Sequence, residues 1–217
     1  MTNVGDVCWI QIFVKVKKIC FNIKMQKFFI FLLLSYLVGS IPAGWLYVKI
    51  FKKKDIRNLG SGNIGATNVY RVCGFLPACM VFAFDFLKGF LPVYFFSDIL
   101  WQKIFIGILA IFGHNFSIFL KGKGGKGVAT GTGVAVAIAP LPVLISLVIF
   151  IIVFSFSKII SLSSLISSLC FPASVFFLKK GKEVFIFSVI VCIFVFFSHR
   201  KNISRLLRGE EKKISKL

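Results

Sequence analysis

Two glycine-rich segments of the chain carry basic and hydrogen-bonding side chains in a spacing that suits phosphate binding. The first runs from Gly60 to Arg71, and the second runs from Gly113 to Thr130 and contains the sequence GKGGKG. Glycine leaves backbone N–H groups free to point at an anion, while Lys and Arg supply the opposite charge. Both segments adjoin apolar runs of membrane length, so the pattern predicts a site where a soluble phosphate compound meets a lipid.

The first segment formally matches the pattern G-x-G-x-x-G through Gly60, Gly62 and Gly65. A dinucleotide site would require a strand before this motif and a βαβ unit around it, whereas an apolar helix and a lysine cluster precede it here. A flexible turn between helices is the alternative, but a turn does not require so many hydrogen-bonding groups. Arg71 can donate two hydrogen bonds to one phosphate. The candidate binding residues of this segment are Ser61, Asn63, Asn68 and Arg71.

The second segment is not a Walker A motif, because no Lys-Ser or Lys-Thr pair follows its final glycine. Clustered glycines, a lysine and a helix expected to begin near Val128 can nevertheless hold an anion at a helix N-terminus. A basic turn is the alternative interpretation, and an isolated His near a helix end is more often structural than catalytic. The candidate residues are His114, Gly124, Gly125, Lys126, Gly127 and Thr130.

Two further pairs of polar residues have helical spacing. His199 and Asn202 follow the last apolar run and share one helical face, although a basic helix that binds lipid headgroups is the alternative. Asp85 and Lys88 lie within an apolar run, where ionisable residues are functional or paired by default. We predict an Asp85–Lys88 ion pair that supports the fold, and a substrate contact by Lys88 is the less favoured alternative.

The composition is that of an integral membrane protein. The chain has 217 residues, of which 58% are hydrophobic and 28 are Phe, and its mean hydropathy is +0.92. Soluble domains are about 45–50% apolar, and runs of about 18 or more apolar residues span bilayers. The apolar segments, divided by prolines and lysines, lie near 28–50, 74–97, 103–120, 128–139, 142–157, 161–178 and 183–198. This pattern predicts an all-α polytopic helix bundle with about seven transmembrane helices, or five if the short segment 128–139 is re-entrant.

The charge distribution predicts an orientation. The net charge is +20, and most cations lie in short segments between apolar runs, which indicates cytoplasmic loops and contact with anionic lipid rather than nucleic acid. The N-terminus is therefore expected outside and the C-terminus in the cytoplasm. Five lysines before the first span oppose this bias, and a start at Met25 would remove all but one of them. We therefore predict that residues 1–24 are an extension outside the functional domain at 25–217.

The sequence contains few residues that could bind a metal ion. The six cysteines form no C-x-x-C pair, only two histidines are present, and Asp and Glu together number seven. We predict no metal site and no cofactor.

Three long motifs, in this order, resemble the signature motifs of the bacterial acyl-phosphate:glycerol-3-phosphate acyltransferases, the PlsY family. They are SGNIGATN with Arg71, then GHNFSIFLK followed by KGGKGVATGTG, and finally HR-x-NI-x-RLL-x-G-x-E. The likeness extends to YLVGSIPAGWL and DFLKG and covers about residues 28–213. Gly122, Lys201 and Glu210 depart from the family pattern, while Glu211 still matches its final Glu.

The resemblance implies transfer of a fatty acyl group from acyl phosphate to the 1-hydroxyl of glycerol 3-phosphate, giving lysophosphatidic acid in the first acylation step of phospholipid synthesis. It also implies a multi-pass protein of the bacterial inner membrane with its site on the cytoplasmic side. Docking of the soluble enzyme that makes acyl phosphate stays open. The implied catalytic residues are Ser61, Arg71, His199 and Asn202, and the implied substrate-binding residues are Asn63, Asn68, Lys88, His114, Gly124, Gly125, Lys126, Gly127 and Thr130.

Competing functions lack their required residues. The H-x-x-x-x-D motif of other glycerol-phosphate acyltransferases is absent, because Phe119 and Ser204 stand at the fifth position after the two histidines. CDP-alcohol phosphotransferases need clustered Asp residues, and the four here are dispersed. A transporter would show paired half-sequences with matching broken helices, and none are visible.

Overall fold

The structure, a computed structural model, describes the backbone of residues 4–214 and the side chains of Lys15 and residues 23–214. Within that part of the chain all regular structure is helical, and no strand occurs. The helices are α1 (Val4–Ser40), α2 (Ala43–Lys52), α3 (Ala66–Cys73), α4 (Phe75–Phe96), α5 (Leu100–Asn115), α6 (Val128–Ile138), α7 (Pro140–Ser157), α8 (Ile160–Phe177), α9 (Lys182–Ser198) and α10 (Arg200–Leu207), with 3₁₀ turns at Ile56–Asn58 and Ile118–Leu120. The predicted all-α class is confirmed.

Five helical stretches are long and apolar enough to cross a membrane, and α9 with α10 makes a sixth if that pair, bent by 63°, is counted as one span. The five stretches are Ile23–Lys52, Phe75–Phe96, Leu100–Leu120, Pro140–Ser157 and Ile160–Phe177. Every apolar segment that the sequence indicates is thus helical. Helix α6 has only 11 residues, about 16 Å at 1.5 Å per residue, which is too short to cross a hydrocarbon core alone.

The predicted boundary at residue 24 falls within α1, whose backbone is continuous from Val4 to Ser40. Residues 1–3 and the side chains of most residues up to 22 lie outside the described part of the chain. The interpretation of residues 1–24 as an extension, and the side of the membrane on which each terminus lies, stay predictions.

Small residues allow the spans around the site to approach closely, as is common where helices pack within lipid. Helix α5 packs against α1, and a Cβ added at Gly113 would overlap the carbonyl oxygen of Tyr36. Helix α4 packs against α6 in the same way, with Gly133 on the backbone of Phe86. These two close pairs hold the ends of α5 and α6 beside the break between α1 and α2.

The predicted ion pair within α4 is confirmed. Lys88 Nζ lies 2.7 Å from Asp85 Oδ1, and both side chains are buried. The same ammonium group donates a hydrogen bond of 2.7 Å to the carbonyl oxygen of Ile41, which lies where α1 ends before Pro42. The pair therefore fixes α4 to a backbone carbonyl at the α1–α2 break.

Candidate active site

The three polar segments that the sequence singles out meet at one end of the helix bundle around a cavity of about 520 Å³. Its walls come from the loop and helix around α3, from the start of α6, from the α9–α10 junction and from the faces of α4, α7 and α8. The predicted site residues that line it are Ser61, Asn63, Asn68, Arg71, His114, Lys126, Gly127, His199 and Asn202. Residues far apart in the chain are thus brought together.

Asn68 organises the loop that carries Ser61. Its buried side chain accepts a hydrogen bond from the Ser61 backbone N–H at 2.8 Å and donates to the carbonyl oxygens of Leu59 and Asn63 at 2.9 and 2.8 Å. These bonds satisfy backbone groups that would otherwise be buried without partners. Asn68 therefore holds the Ser61 hydroxyl at the cavity edge, so its contribution to the site is positioning.

Tertiary contacts occupy two amides that the sequence suggests for phosphate binding. The Gly124 N–H donates to the carbonyl oxygen of Asn115 at 3.1 Å, and the Gly125 N–H donates to that of His114 at 2.9 Å. A Cβ at either glycine would overlap His114, whose Nε2 lies against Gly125. The two amides therefore already have protein acceptors, and the two glycines pack the loop onto the end of α5. That they cradle a phosphate stays a prediction.

The groups of this loop that face the cavity without an acceptor in the protein are its lysine and the first turn of α6. The hydrogen bond from Gly131 N–H to the carbonyl oxygen of Gly127 opens the helix, so the amides of Val128 and Ala129 have no acceptor within it. Both of these residues line the cavity beside Lys126. A helix N-terminus and an ammonium group together favour a bound anion.

Arg71 and Lys126 are cavity cations without a hydrogen-bond or ion-pair partner among the described residues. Burial is the main cause that lowers the pKa of Lys126 to about 8; the charge of Glu211 opposes the shift, and the charges of Arg205 and Arg71 add to it. Burial also lowers the pKa of Arg71. Unpaired, partly desolvated positive charges indicate a site prepared for anions.

The α9–α10 junction supplies a neutral imidazole and a fixed amide. His199 Nδ1 lies 2.8 Å from the carbonyl oxygen of Val195, so Nδ1 carries the ring proton and Nε2 keeps a free lone pair. Burial, with the nearby charge of Lys126, lowers the pKa of His199 to about 4. The imidazole is therefore uncharged at neutral pH. Asn202 donates its amide to Glu211, which fixes that side chain.

Glu211 is the site residue to which sequence reasoning assigned no role. It also accepts hydrogen bonds from Ser161 Oγ at 2.8 Å and Arg205 Nε at 2.6 Å. Burial opposes its ionisation, but the hydrogen bonds from Arg205, Ser161 and Asn202 hold the pKa of Glu211 below its usual value. The match of Glu211 to the family motif was the one signal that could have indicated this network.

Four predicted substrate contacts lie off the cavity wall: Lys88, Gly124, Gly125 and Thr130. Lys88 is held in its ion pair with Asp85, and Thr130 is fully buried against Gly89. Asp85 does reach the wall, where its Oδ1 lies 3.6 Å from His114 Nδ1. The placement of these four residues off the wall favours roles in support of the cavity, and their direct contact with substrate stays a prediction.

The lowered pKa of Lys126 predicts a loss of activity in alkali. Because Lys126 loses its charge as the pH rises through about 8, kcat/KM should fall about tenfold for each further pH unit. Lys126→Arg should keep the charge and remove this decline. The measurement is kcat/KM between about pH 6.5 and 9.5, and an equal decline in parent and variant would contradict the assignment.

A family model described as glycerol-3-phosphate acyltransferase matches residues 29–209. The chain belongs to this acyltransferase family. Curated glycerol-3-phosphate acyltransferases are similar over most of its length. That of Fusobacterium nucleatum subsp. nucleatum is 44% identical over 189 residues, covering 86% of this chain and 97% of the relative. That of Staphylococcus carnosus is 41% identical over 195 residues, covering 84% and 96%.

Solved acyltransferase structures share the fold. A crystal structure of PlsY, an integral membrane glycerol 3-phosphate acyltransferase, in its glycerol 3-phosphate form superposes with a TM-score of 0.82 at 35% identity, covering 87% of this chain and 96% of that chain. The lysophosphatidic acid form gives 0.78 at 34% identity, covering 86% and 94%. The chain is therefore an integral membrane acyltransferase of the glycerol-3-phosphate family.

Proposed function

We propose that this acyltransferase moves a fatty acyl group from acyl phosphate to the 1-hydroxyl of glycerol 3-phosphate, releasing lysophosphatidic acid and phosphate. The observation that carries the proposal is the pair of unpartnered cations, Arg71 and Lys126, on one cavity wall. Both reactants carry a phosphate, and the two cations offer charge-assisted hydrogen bonds to these groups. The solved relatives in glycerol 3-phosphate and lysophosphatidic acid forms support the acceptor and the product.

The apolar half of the cavity supports a fatty acyl substrate. Phe75, Cys79 and Phe82 of α4 face Leu147, Phe150 and Phe154 of α7 across a slot continuous with the polar end. Phe82 and Leu147 are each 47% exposed at the outer surface of the bundle, where they would meet lipid. An acyl chain in this slot stays in an apolar environment while its phosphate end lies beside Lys126.

The proposed reaction needs orientation and charge stabilisation, because acyl phosphate is already an activated mixed anhydride. The glycerol oxygen bonds to the acyl carbon, the bond from that carbon to the phosphate oxygen breaks, and the hydroxyl proton leaves with the departing phosphate. His199 is a weak base with a pKa of about 4, so its Nε2 orients the hydroxyl by accepting its hydrogen bond. Ser61 and Asn202 hold the glycerol part of the acceptor.

A His199→Gln variant tests this division of roles. A glutamine amide oxygen can accept the hydroxyl hydrogen bond, so His199→Gln should keep kcat within about tenfold, while His199→Ala should lose about 10²-fold or less. General-base catalysis is worth about 10²–10⁴-fold. If both variants lost more than about 10³-fold, His199 would be the base and the donor phosphate would not take the proton.

Acyl transfer by the purified chain separates this function from its competitors. The protein is supplied with glycerol 3-phosphate and either a synthetic acyl phosphate or the matching acyl-CoA, and lysophosphatidic acid is measured. We expect product from acyl phosphate and little from acyl-CoA. Preference for acyl-CoA would overturn the donor assignment, and product from neither would overturn the function.

We place the cavity on the cytoplasmic side of the bacterial inner membrane, because the basic loops of the sequence favour that side. Single cysteines at Ser61 and Lys201 should react with a membrane-impermeant reagent in inverted vesicles and stay protected in intact cells. Labelling of both positions in intact cells would reverse the orientation.

A further inference from the structure

Helix α10 carries a second basic surface that acyl transfer does not use. An open recess of about 400 Å³ lies on the face of α10 away from His199 and Asn202, and every residue that lines it is polar or charged. The residues that form it are Arg200, Lys201, Ser204, Arg205 and Arg208. Four cations within nine residues of chain repel one another, so such a surface is stabilised when an anion binds.

The carboxylates near the recess neutralise only half of its charge. Glu211 pairs with Arg205 at 2.6 Å and Glu210 pairs with Arg208 at 2.8 Å. Arg200 and Lys201 have no carboxylate partner among the described residues, and both are exposed. The recess therefore keeps a net positive charge.

The position of α10 brings this charge to the membrane surface. The helix follows α9 directly and bends away from it by 63°, at the end of the bundle where the cavity holds its polar groups. The Arg200 guanidinium lies 4.8 Å above the ring of Phe197, which is 55% exposed in the last turn of α9. Leu207, at the other end of α10, is 85% exposed. Basic helices with exposed apolar side chains lie at the headgroup level of bilayers.

We propose that the α10 recess binds the phosphate headgroup of an anionic membrane phospholipid. The lipid tails lie along Phe197 and Leu207, and Arg200, Lys201 and Arg208 contact the phosphate. Charge complementarity selects this occupant, because zwitterionic lipids present no net charge to the unpaired cations. Arg205 borders the recess and also holds Glu211, which holds Asn202. A bound headgroup therefore stabilises the helix that positions part of the active site.

Lipid binding to the purified full-length chain tests the proposal directly. Phosphatidylglycerol or phosphatidylcholine is titrated into the detergent-solubilised protein, and retained lipid is measured by native mass spectrometry. The test variant is the double substitution Arg200→Gln with Lys201→Gln, which removes the two cations without a carboxylate partner among the described residues. The matched control is Lys53→Gln with Lys54→Gln, which removes two exposed lysines from the loop after α2. Thermal unfolding confirms that all forms are folded.

We expect phosphatidylglycerol to bind the parent and the control equally and the double variant about 30-fold more weakly, since each cation near an anionic surface contributes about fivefold. Equal binding by the test variant and the control would overturn the proposal. Competition by millimolar inorganic phosphate that abolishes lipid binding would assign the recess to a free anion and also overturn it. The readout is independent of acyl transfer, so its failure leaves the proposed function untouched.

Discussion

Arg71→Gln will lower kcat/KM for acyl transfer by about 10²–10³-fold without weakening the fold. Arg71 is a half-buried cation on the cavity wall with no ion-pair partner in the described part of the chain, and burial already lowers its pKa. Its removal takes away a charge-assisted donor to phosphate and relieves an unfavourable desolvation. The melting temperature should therefore be unchanged or slightly raised.

Two further variants separate charge from geometry at this position. Arg71→Lys keeps the charge but loses the two parallel N–H donors of the guanidinium group, so we expect kcat/KM to fall about tenfold. Arg57→Gln is the matched control, because Arg57 is an exposed arginine just before this segment that pairs with Asp55 outside the cavity. Steady-state kinetics with purified proteins provide the measurement. Arg71→Gln activity within about threefold of the parent would remove Arg71 from the site.

Lys88→Met will cause the largest loss of stability, about 3–5 kcal/mol, because it leaves the Asp85 carboxylate buried without its cation. The two groups lie 2.7 Å apart with side chains 2% and 3% exposed. The variant also loses the hydrogen bond to the Ile41 carbonyl oxygen that anchors α4 at the α1–α2 break. Unfolding of the detergent-solubilised protein should occur at a markedly lower temperature.

The double substitution Asp85→Asn with Lys88→Met should recover much of that stability, because no buried charge remains. Lys121→Met, at an exposed lysine of the α5–α6 loop, is the control and should unfold like the parent. A single Lys88→Met variant as stable as this control would show that the ion pair does not support the fold.

Local spacing and charge were enough to predict much of the site from the sequence. The i,i+3 spacing of Asp85 and Lys88 predicts their ion pair, and the structure contains it. The spacing of His199 and Asn202 likewise predicts a shared face, and both residues line the cavity. Such inferences succeed because helical periodicity fixes which side chains are neighbours.

The features that the sequence does not show depend on partners distant in the chain. A sequence shows that Gly124 and Gly125 have accessible amides, but it does not show that carbonyl groups at the end of α5 already accept from them. Glu211 lies beyond the turn at Gly209, nine residues from Asn202 and fifty from Ser161, so no helical period connects the three. The shortness of the apolar segment at α6 was visible in the sequence, which is why a count of five spans stayed open beside seven.

The slot between α4 and α7 has a kinetic consequence. If a long-chain donor enters sideways through it, the enzyme encounters the donor by diffusion within the membrane. The concentration that sets the reaction rate is then the mole fraction of donor in the leaflet. Diluting the membrane with inert lipid at constant bulk donor should then slow turnover, whereas diluting the aqueous phase should not.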